Sequence, residues 1–234
     1  LDRTYLETFP RPRAMLFSFP HNPTTLTVDI SFFERLVDYA REKELFLIHD
    51  FSYATLGDDQ YSPPSILSVP GAAEYAVEQL SLSKGYGVAG WRIGFCVGNE
   101  RLISGLKKVQ AYSEFGVFQP LQIAAAEMIE NGDDHAREIA DGYSNRRDIL
   151  VSYLKRASWD CVAGQCTPYV FARLPKSLIG LGAEDACHKL LTSCQVGACP
   201  GIGFGGETQD YVRFALVETE ERIHLAGKRI LELS

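Results

Sequence analysis

The chain has 234 residues, 46% of them hydrophobic, and a formal net charge of −7, so it can bury a sizeable core as one large domain or two small ones. The acidic balance gives no nucleic-acid footprint, no apolar run reaches the length of a membrane span, and Leu1-Asp2-Arg3-Thr4 lacks the basic and apolar regions of a signal peptide. The cysteines Cys96, Cys161, Cys166, Cys187, Cys194 and Cys199 are scattered, without Cys-x-x-Cys or another metal-ligand spacing, which predicts no metal site and reduced, cytoplasmic thiols.

In chain order, the apolar run over residues 14–19 predicts a strand that ends at Pro20. Asp29 or Ser31 can cap a helix whose apolar positions Phe33, Leu36, Val37 and Ala40 repeat helically. Leu45-Phe46-Leu47-Ile48 has the short, continuous apolar character of a buried parallel strand. Residues 79–82 and 93–97 predict two more strands. Strand–helix–strand order with right-handed crossovers then gives an α/β layer, a mostly parallel sheet with helices on both faces. After Gly98 three helical patterns follow, over residues 100–112, 120–129 and 134–155. Short strands at 169–172 and 211–215 and a final helix capped by Thr219 predict a smaller α+β domain. The expected division is 1–130 for the larger domain and 131–234 for the smaller.

The chemistry concentrates in Ser81-Leu82-Ser83-Lys84-Gly85-Tyr86-Gly87-Val88-Ala89-Gly90-Trp91-Arg92-Ile93-Gly94. A lysine at an apolar strand end is costly to bury unless its charge is removed or paired. Schiff-base formation makes the nitrogen less basic, and lysines that act this way occupy such places. Ser81, Ser83 and Arg92 are donors suited to a phosphate dianion. A lysine beside a phosphate clamp is what pyridoxal 5'-phosphate (PLP) requires, the aldehyde taking Lys84 and the phosphate taking the hydroxyls and guanidinium. His49-Asp50-Phe51-Ser52-Tyr53, directly after a predicted strand, adds a carboxylate. Buried there, Asp50 needs a partner, and a protonated pyridine nitrogen supplies one. Pro20-His21-Asn22-Pro23-Thr24 is a turn signal at another strand end. Arg213 lies between apolar neighbours in Tyr211-Val212-Arg213-Phe214-Ala215. The Gly-rich stretch 199–205 has the wrong context for a dinucleotide fingerprint and is expected to shape a loop bordering the substrate pocket.

The lysine run resembles, position for position, the signature of class I/II aminotransferases of PLP fold type I. The Asp50-x-x-Tyr53 spacing is similar to a second motif of that family. The resemblance extends from about residue 13 to the C-terminus. Within the family, Pro64-Ser65-Ile66-Leu67-Ser68-Val69-Pro70-Gly71-Ala72 and Gly87-Val88-Ala89-Gly90-Trp91-Arg92-Ile93-Gly94-Phe95 look closest to the branch of bacterial alanine (glutamate–pyruvate) and LL-diaminopimelate aminotransferases. Residues 200–205 and 212–217 lean toward the alanine type. The resemblance implies the C-terminal part of a PLP fold type I large domain plus the small C-terminal domain. It implies that Asn22 and Tyr53 hydrogen-bond the pyridine 3'-oxygen, that Asn22 also borders the substrate, and that Arg213 forks onto the substrate α-carboxylate.

The family's upstream segments have no counterpart here. They include a small-residue loop that binds the phosphate and an aromatic that stacks on the pyridine. The chain therefore reads as the C-terminal part of a longer enzyme. The expected activity is amino transfer between an L-amino acid and a 2-oxo acid in a cytoplasmic homodimer, with no nucleic-acid or membrane partner. Alanine/glutamate–pyruvate substrates come first and LL-diaminopimelate or aspartate second. A PLP-dependent C–S lyase and a non-catalytic module derived from such an enzyme are the rival readings.

Overall fold

The computed structural model describes every residue except Asp59, Ala163 and Ser234. The chain forms two compact units. Unit 1 holds residues 1–19, 28–54 and 63–136, and unit 2 holds 20–27, 55–62 and 137–234. Neither unit is a single stretch of chain: two short segments from the N-terminal half belong to the C-terminal unit.

Unit 1 opens with α1 (Asp2–Glu7), followed by β1 (Ala14–Ser18), α2 (Ile30–Lys43), β2 (Phe46–Asp50) and β3 (Ala76–Ser81). One helical turn, α3 (Leu82–Gly85), precedes β4 (Gly94–Gly98), α4 (Glu100–Ser113) and α5 (Gln119–Asn131). The four strands form one sheet in the order β1-β2-β3-β4. β1 pairs parallel with β2 and β2 parallel with β3, as the apolar runs predict. β4 pairs antiparallel with β3, which makes the sheet mixed. The physical reason is the link: residues 82–93 are occupied by α3 and a 3₁₀ turn, and no full crossover helix returns the chain for a parallel pairing. Gly94 suits this tight return, because a Cβ there would meet the Leu80 carbonyl oxygen at 2.5 Å.

Asp29 caps α2 by accepting from the Phe32 N–H at 3.0 Å, and the Ser31 hydroxyl braces the cap by donating to Asp29 Oδ1 at 2.7 Å. The predicted face Phe33, Leu36, Val37 and Ala40 is buried, with Leu45, Leu47, Ile66, Val69 and Ala76 in the same core. A second cluster joins Leu82, Tyr86, Ile93, Ala125 and Ala136 beneath the lysine run.

In unit 2, a long helix α6 (Asp133–Arg156), begun in unit 1, leads into β5 (Asp160–Val162), β6 (Tyr169–Arg173), α7 (Gly182–Cys194), β7 (Cys199–Pro200), β8 (Tyr211–Ala215) and α8 (Glu220–Leu233). Its sheet runs β5-β6-β8-β7, antiparallel throughout. Leu150 and Leu154 of α6, Leu190 of α7, and Ile223 and Ile230 of α8 bury against Val170, Val212 and Phe214 of this sheet. Each such side chain contributes roughly 1.5–3 kcal/mol by burial.

Candidate functional site

In unit 1 the site residues gather at one edge of the sheet. β2 and β3 are parallel neighbours, with Asp50 opposite Gln79, so the carboxyl-terminal ends of both strands lie side by side. Such ends are where open α/β sheets bind ligands. Asp50 is the last residue of β2 and partly buried. Its Oδ1 accepts from the Ser52 N–H at 3.1 Å and from the Ser52 hydroxyl, which fixes the carboxylate and leaves Oδ2 without a protein donor among the described residues. Tyr53 is buried in the turn that follows.

Lys84 does not stand on a strand end, as its sequence context predicts. β3 stops at Ser81, and Lys84 sits in α3, the single helical turn immediately after it. The Ser81 hydroxyl starts this turn by accepting from the Ser83 N–H at 3.2 Å. Lys84 is partly buried and its Nζ makes no hydrogen bond or ion pair among the described residues. An amine that no protein group engages is available to a further group. Ser81 and Ser83 are partly buried beside it, whereas Arg92 is exposed. The backbone of Arg92 is left-handed, with φ of 52°, and its Nη1 donates to the Ala89 carbonyl at 3.0 Å. The predicted clamp therefore has its two hydroxyls on the lysine turn and its guanidinium on the 3₁₀ turn that leads into β4.

Unit 2 brings Asn22 and Arg213 together although they are far apart in sequence. Arg213, in the middle of β8, donates from Nη1 to Asn22 Oδ1 at 2.7 Å. Its guanidinium carbon lies 4.3 Å from the centroid of the Tyr169 ring and 4.6 Å from that of Phe204. Nε is buried without an acceptor among the described residues. Two aromatic faces fix the orientation of this planar cation, and among the described residues only one of its donor positions is filled. A guanidinium with open donors can take a planar anion such as a carboxylate.

Tyr169 and Phe204 were not marked by the sequence. Phe204 ends the 3₁₀ turn of the Gly-rich stretch, Gly201–Phe204, which was expected to form a loop at the substrate pocket. Its real signal was an aromatic in a Gly-rich turn. Tyr169 starts β6, the strand paired with β8, and could be placed only once that pairing was known.

His21, beside Asn22, hydrogen-bonds Thr24 Oγ1 through Nδ1 at 2.7 Å, and partial burial lowers its pKa below the ordinary histidine value. Among the described residues no group of three or more His, Cys, Asp or Glu side chains could hold a metal ion. Among the described residues no helix is long and apolar enough to cross a membrane.

Comparison with known proteins gives a consistent picture. The family profile described as aminotransferase class I and II matches residues 2–230. The glutamate-pyruvate aminotransferase AlaC of Escherichia coli (strain K12) is 42% identical over 230 residues, spanning 98% of this chain and 56% of its own length. The LL-diaminopimelate aminotransferase of Nitratidesulfovibrio vulgaris (strain DP4) is 37% identical over 234 residues, spanning 100% of this chain and 60% of its own. The crystal structure of an aromatic aminotransferase from Pyrococcus horikoshii OT3 matches with a TM-score of 0.91 at 25% identity, over 99% of this chain and 62% of that one. The chain thus spans little more than half the length of the curated relatives it matches.

Proposed function

The chain belongs to the class I and II aminotransferase family and has its fold type I architecture, and from its site we propose that it carries the catalytic lysine and the substrate clamp of a PLP-dependent aminotransferase. The observation that carries this reading is Lys84, partly buried and with no hydrogen bond or ion pair among the described residues, on the turn after β3, next to the strand that ends in Asp50. These residues fit the cofactor. An unpaired amine suits its aldehyde, and a carboxylate with a spare oxygen suits its ring nitrogen. The hydroxyls of Ser81 and Ser83, with the exposed guanidinium of Arg92, suit its phosphate. Asn22 and Tyr53 complete the set as hydrogen-bonding groups for the ring oxygen. When bound, PLP supplies an electron sink for the electrons left on the substrate Cα once its proton departs.

The chain's own residues account for the rest. Lys84 Nζ would be the base that takes the substrate Cα proton. Asp50, held by Ser52, presents fixed negative charge, which costs no reorganisation during reaction. Arg213 and Asn22 hold the α-carboxylate, and Arg213 turns the substrate so that the Cα–H bond is presented for cleavage. The overall reaction exchanges an amino group between an L-amino acid and a 2-oxo acid, with ping-pong kinetics. Alanine and glutamate–pyruvate substrates are favoured by the 42% identity to the E. coli enzyme, and LL-diaminopimelate is the second choice from the 37% relative. A cytoplasmic homodimer is part of the proposal, and six free cysteines accord with a reducing compartment.

The test is covalent trapping. The purified protein with PLP is treated with borohydride and digested, and the peptides are mapped. A pyridoxyl group on Lys84 is the expected result. An adduct on another lysine, or none, overturns the assignment.

A further inference from the structure

We propose that His49 and Glu78 are positioning residues for this site, a buried imidazole–carboxylate network that locks the carboxyl-terminal ends of β1, β2 and β3 in register. The inference rests on the site reading given above. His49 directly precedes Asp50 and is 0% exposed, while Glu78 lies on β3 ahead of Lys84 and is 3% exposed. They are cross-strand partners in the parallel pair. Strand alternation turns His49 to the face opposite Asp50, toward the core, so it does not serve as a second group for the ligand.

Every polar atom of the pair is engaged. His49 Nδ1 lies 3.0 Å from Glu78 Oε1. Its Nε2 lies 3.0 Å from the carbonyl oxygen and 3.3 Å from the N–H of Phe19, just past the end of β1. Glu78 Oε1 also accepts from the Ile66 N–H at 2.7 Å, and its Oε2 accepts from the Ser65 hydroxyl at 2.6 Å. The imidazole stacks against Phe17 at 5.1 Å and Phe51 at 4.7 Å, with Phe33 tilted against it at 5.1 Å. One network therefore ties three neighbouring strands and the 65–66 turn together.

An apolar pair would fill this space and suit the surrounding core. A polar pair costs desolvation, and its best-attested use is to fix a registry. Here a one-residue slip of β3 against β2 would separate Glu78 from His49 and strand buried donors, each at a penalty. The register so fixed is the one that sets Asp50 beside the strand leading to Lys84. The network thus acts on PLP only through these two residues.

Paired substitutions test this. Asn in place of His49 puts an amide near the Nδ1 position and keeps the link to Glu78. Gln puts it near the Nε2 position and keeps only the link to Phe19. PLP dissociation constants and the visible band of the bound cofactor are measured on both variants and on Glu78→Gln, with folding checked by thermal melting. His49→Asn and Glu78→Gln are expected to stay within about three-fold of wild type, and His49→Gln to bind PLP about ten-fold more weakly with a shifted band, the size of one lost hydrogen bond to a charged group. A network that only stabilised the core would lower the melting temperature of His49→Gln and leave the affinity and band of the folded protein unchanged, which overturns the proposal. If wild-type protein takes up no PLP on Lys84, the site reading itself fails and this inference falls with it. Wild-type uptake with equal affinity in all variants removes this inference alone.

Discussion

A guanidinium offers five N–H donors. Arg213 uses Nη1 on Asn22, keeps Nε buried and unfilled, and is held flat by Tyr169 and Phe204. Its substitution by Ala should remove a charge-assisted bidentate contact worth about 2–5 kcal/mol where buried. That equals a loss of roughly thirty-fold to several thousand-fold in kcat/KM at about 1.36 kcal/mol per tenfold. The cofactor band should persist, because no PLP contact is assigned to Arg213. Steady-state kinetics with several amino donors and a spectrum of Arg213→Ala decide the matter. Unchanged kcat/KM makes it a structural arginine, and a lost band moves it to the cofactor. The thiols give a second check. Burial raises the Cys161 and Cys187 thiols to about 11 and Cys166 to about 12, so all three stay protonated at pH 8. They should resist iodoacetamide in the folded protein and react once it is unfolded, and rapid labelling of Cys166 in native protein would contradict this burial. At this scale the sequence revealed polar residues in apolar settings, Lys84, Asp50 and Arg213 among them. It hid the aromatic jaws around Arg213 and the buried His49–Glu78 pair, because each is made by contacts between segments distant in sequence.

At the scale of elements, periodicity located the long helices well. The patterns at 100–112, 120–129 and 134–155 appear as Glu100–Ser113, Gln119–Asn131 and Asp133–Arg156. The short pieces escaped: α3, the brief strands β5 and β7, and the helix α7, whose run Gly182–Cys194 is broken by polar and small residues. The antiparallel direction of β4 escaped as well, because an apolar run carries no sign of its direction. Packing between helices reverses one propensity rule. Replacing a mid-helix glycine by Ala ordinarily stabilises a helix by about 1 kcal/mol. Gly227 in α8 is buried, and a Cβ there would lie 2.4 Å from Cδ2 and 2.5 Å from Cγ of Tyr153 on α6. Those atoms are close to the Tyr153 backbone and cannot swing away freely. Gly227→Ala should therefore destabilise the protein by about 1–3 kcal/mol through overpacking. A thermal or urea melt that shows Gly227→Ala at or above wild-type stability would mean that the two helices separate more easily than this contact implies.

At the scale of the whole molecule, the division of the chain was only partly legible. A change of pattern near residue 130 is visible in the sequence, but nothing in 20–27 or 55–62 announces that these segments group with unit 2. They do so through contacts such as Arg213 with Asn22, and Thr25 Oγ1 with the Val162 carbonyl at 3.4 Å. Unit 1 also displays apolar side chains that a solvated face would not select. On and between α4 and α5, Val109 is 64% exposed, Tyr112 88%, Phe115 93%, Phe118 70% and Ile123 65%. Large exposed apolar patches mark surfaces that another surface covers. The family resemblance implies subunits that share active sites, and two-fold pairing is the commonest closed arrangement. The protein is therefore expected to sediment as a homodimer at micromolar concentration. Asp at both Val109 and Ile123 should shift it toward monomer and reduce activity while leaving the far-ultraviolet circular dichroism unchanged, since neither side chain is part of a buried core. A wild-type protein that is monomeric and fully active would overturn the dimer. A Val109→Asp, Ile123→Asp variant that remains dimeric would place the contact on another face.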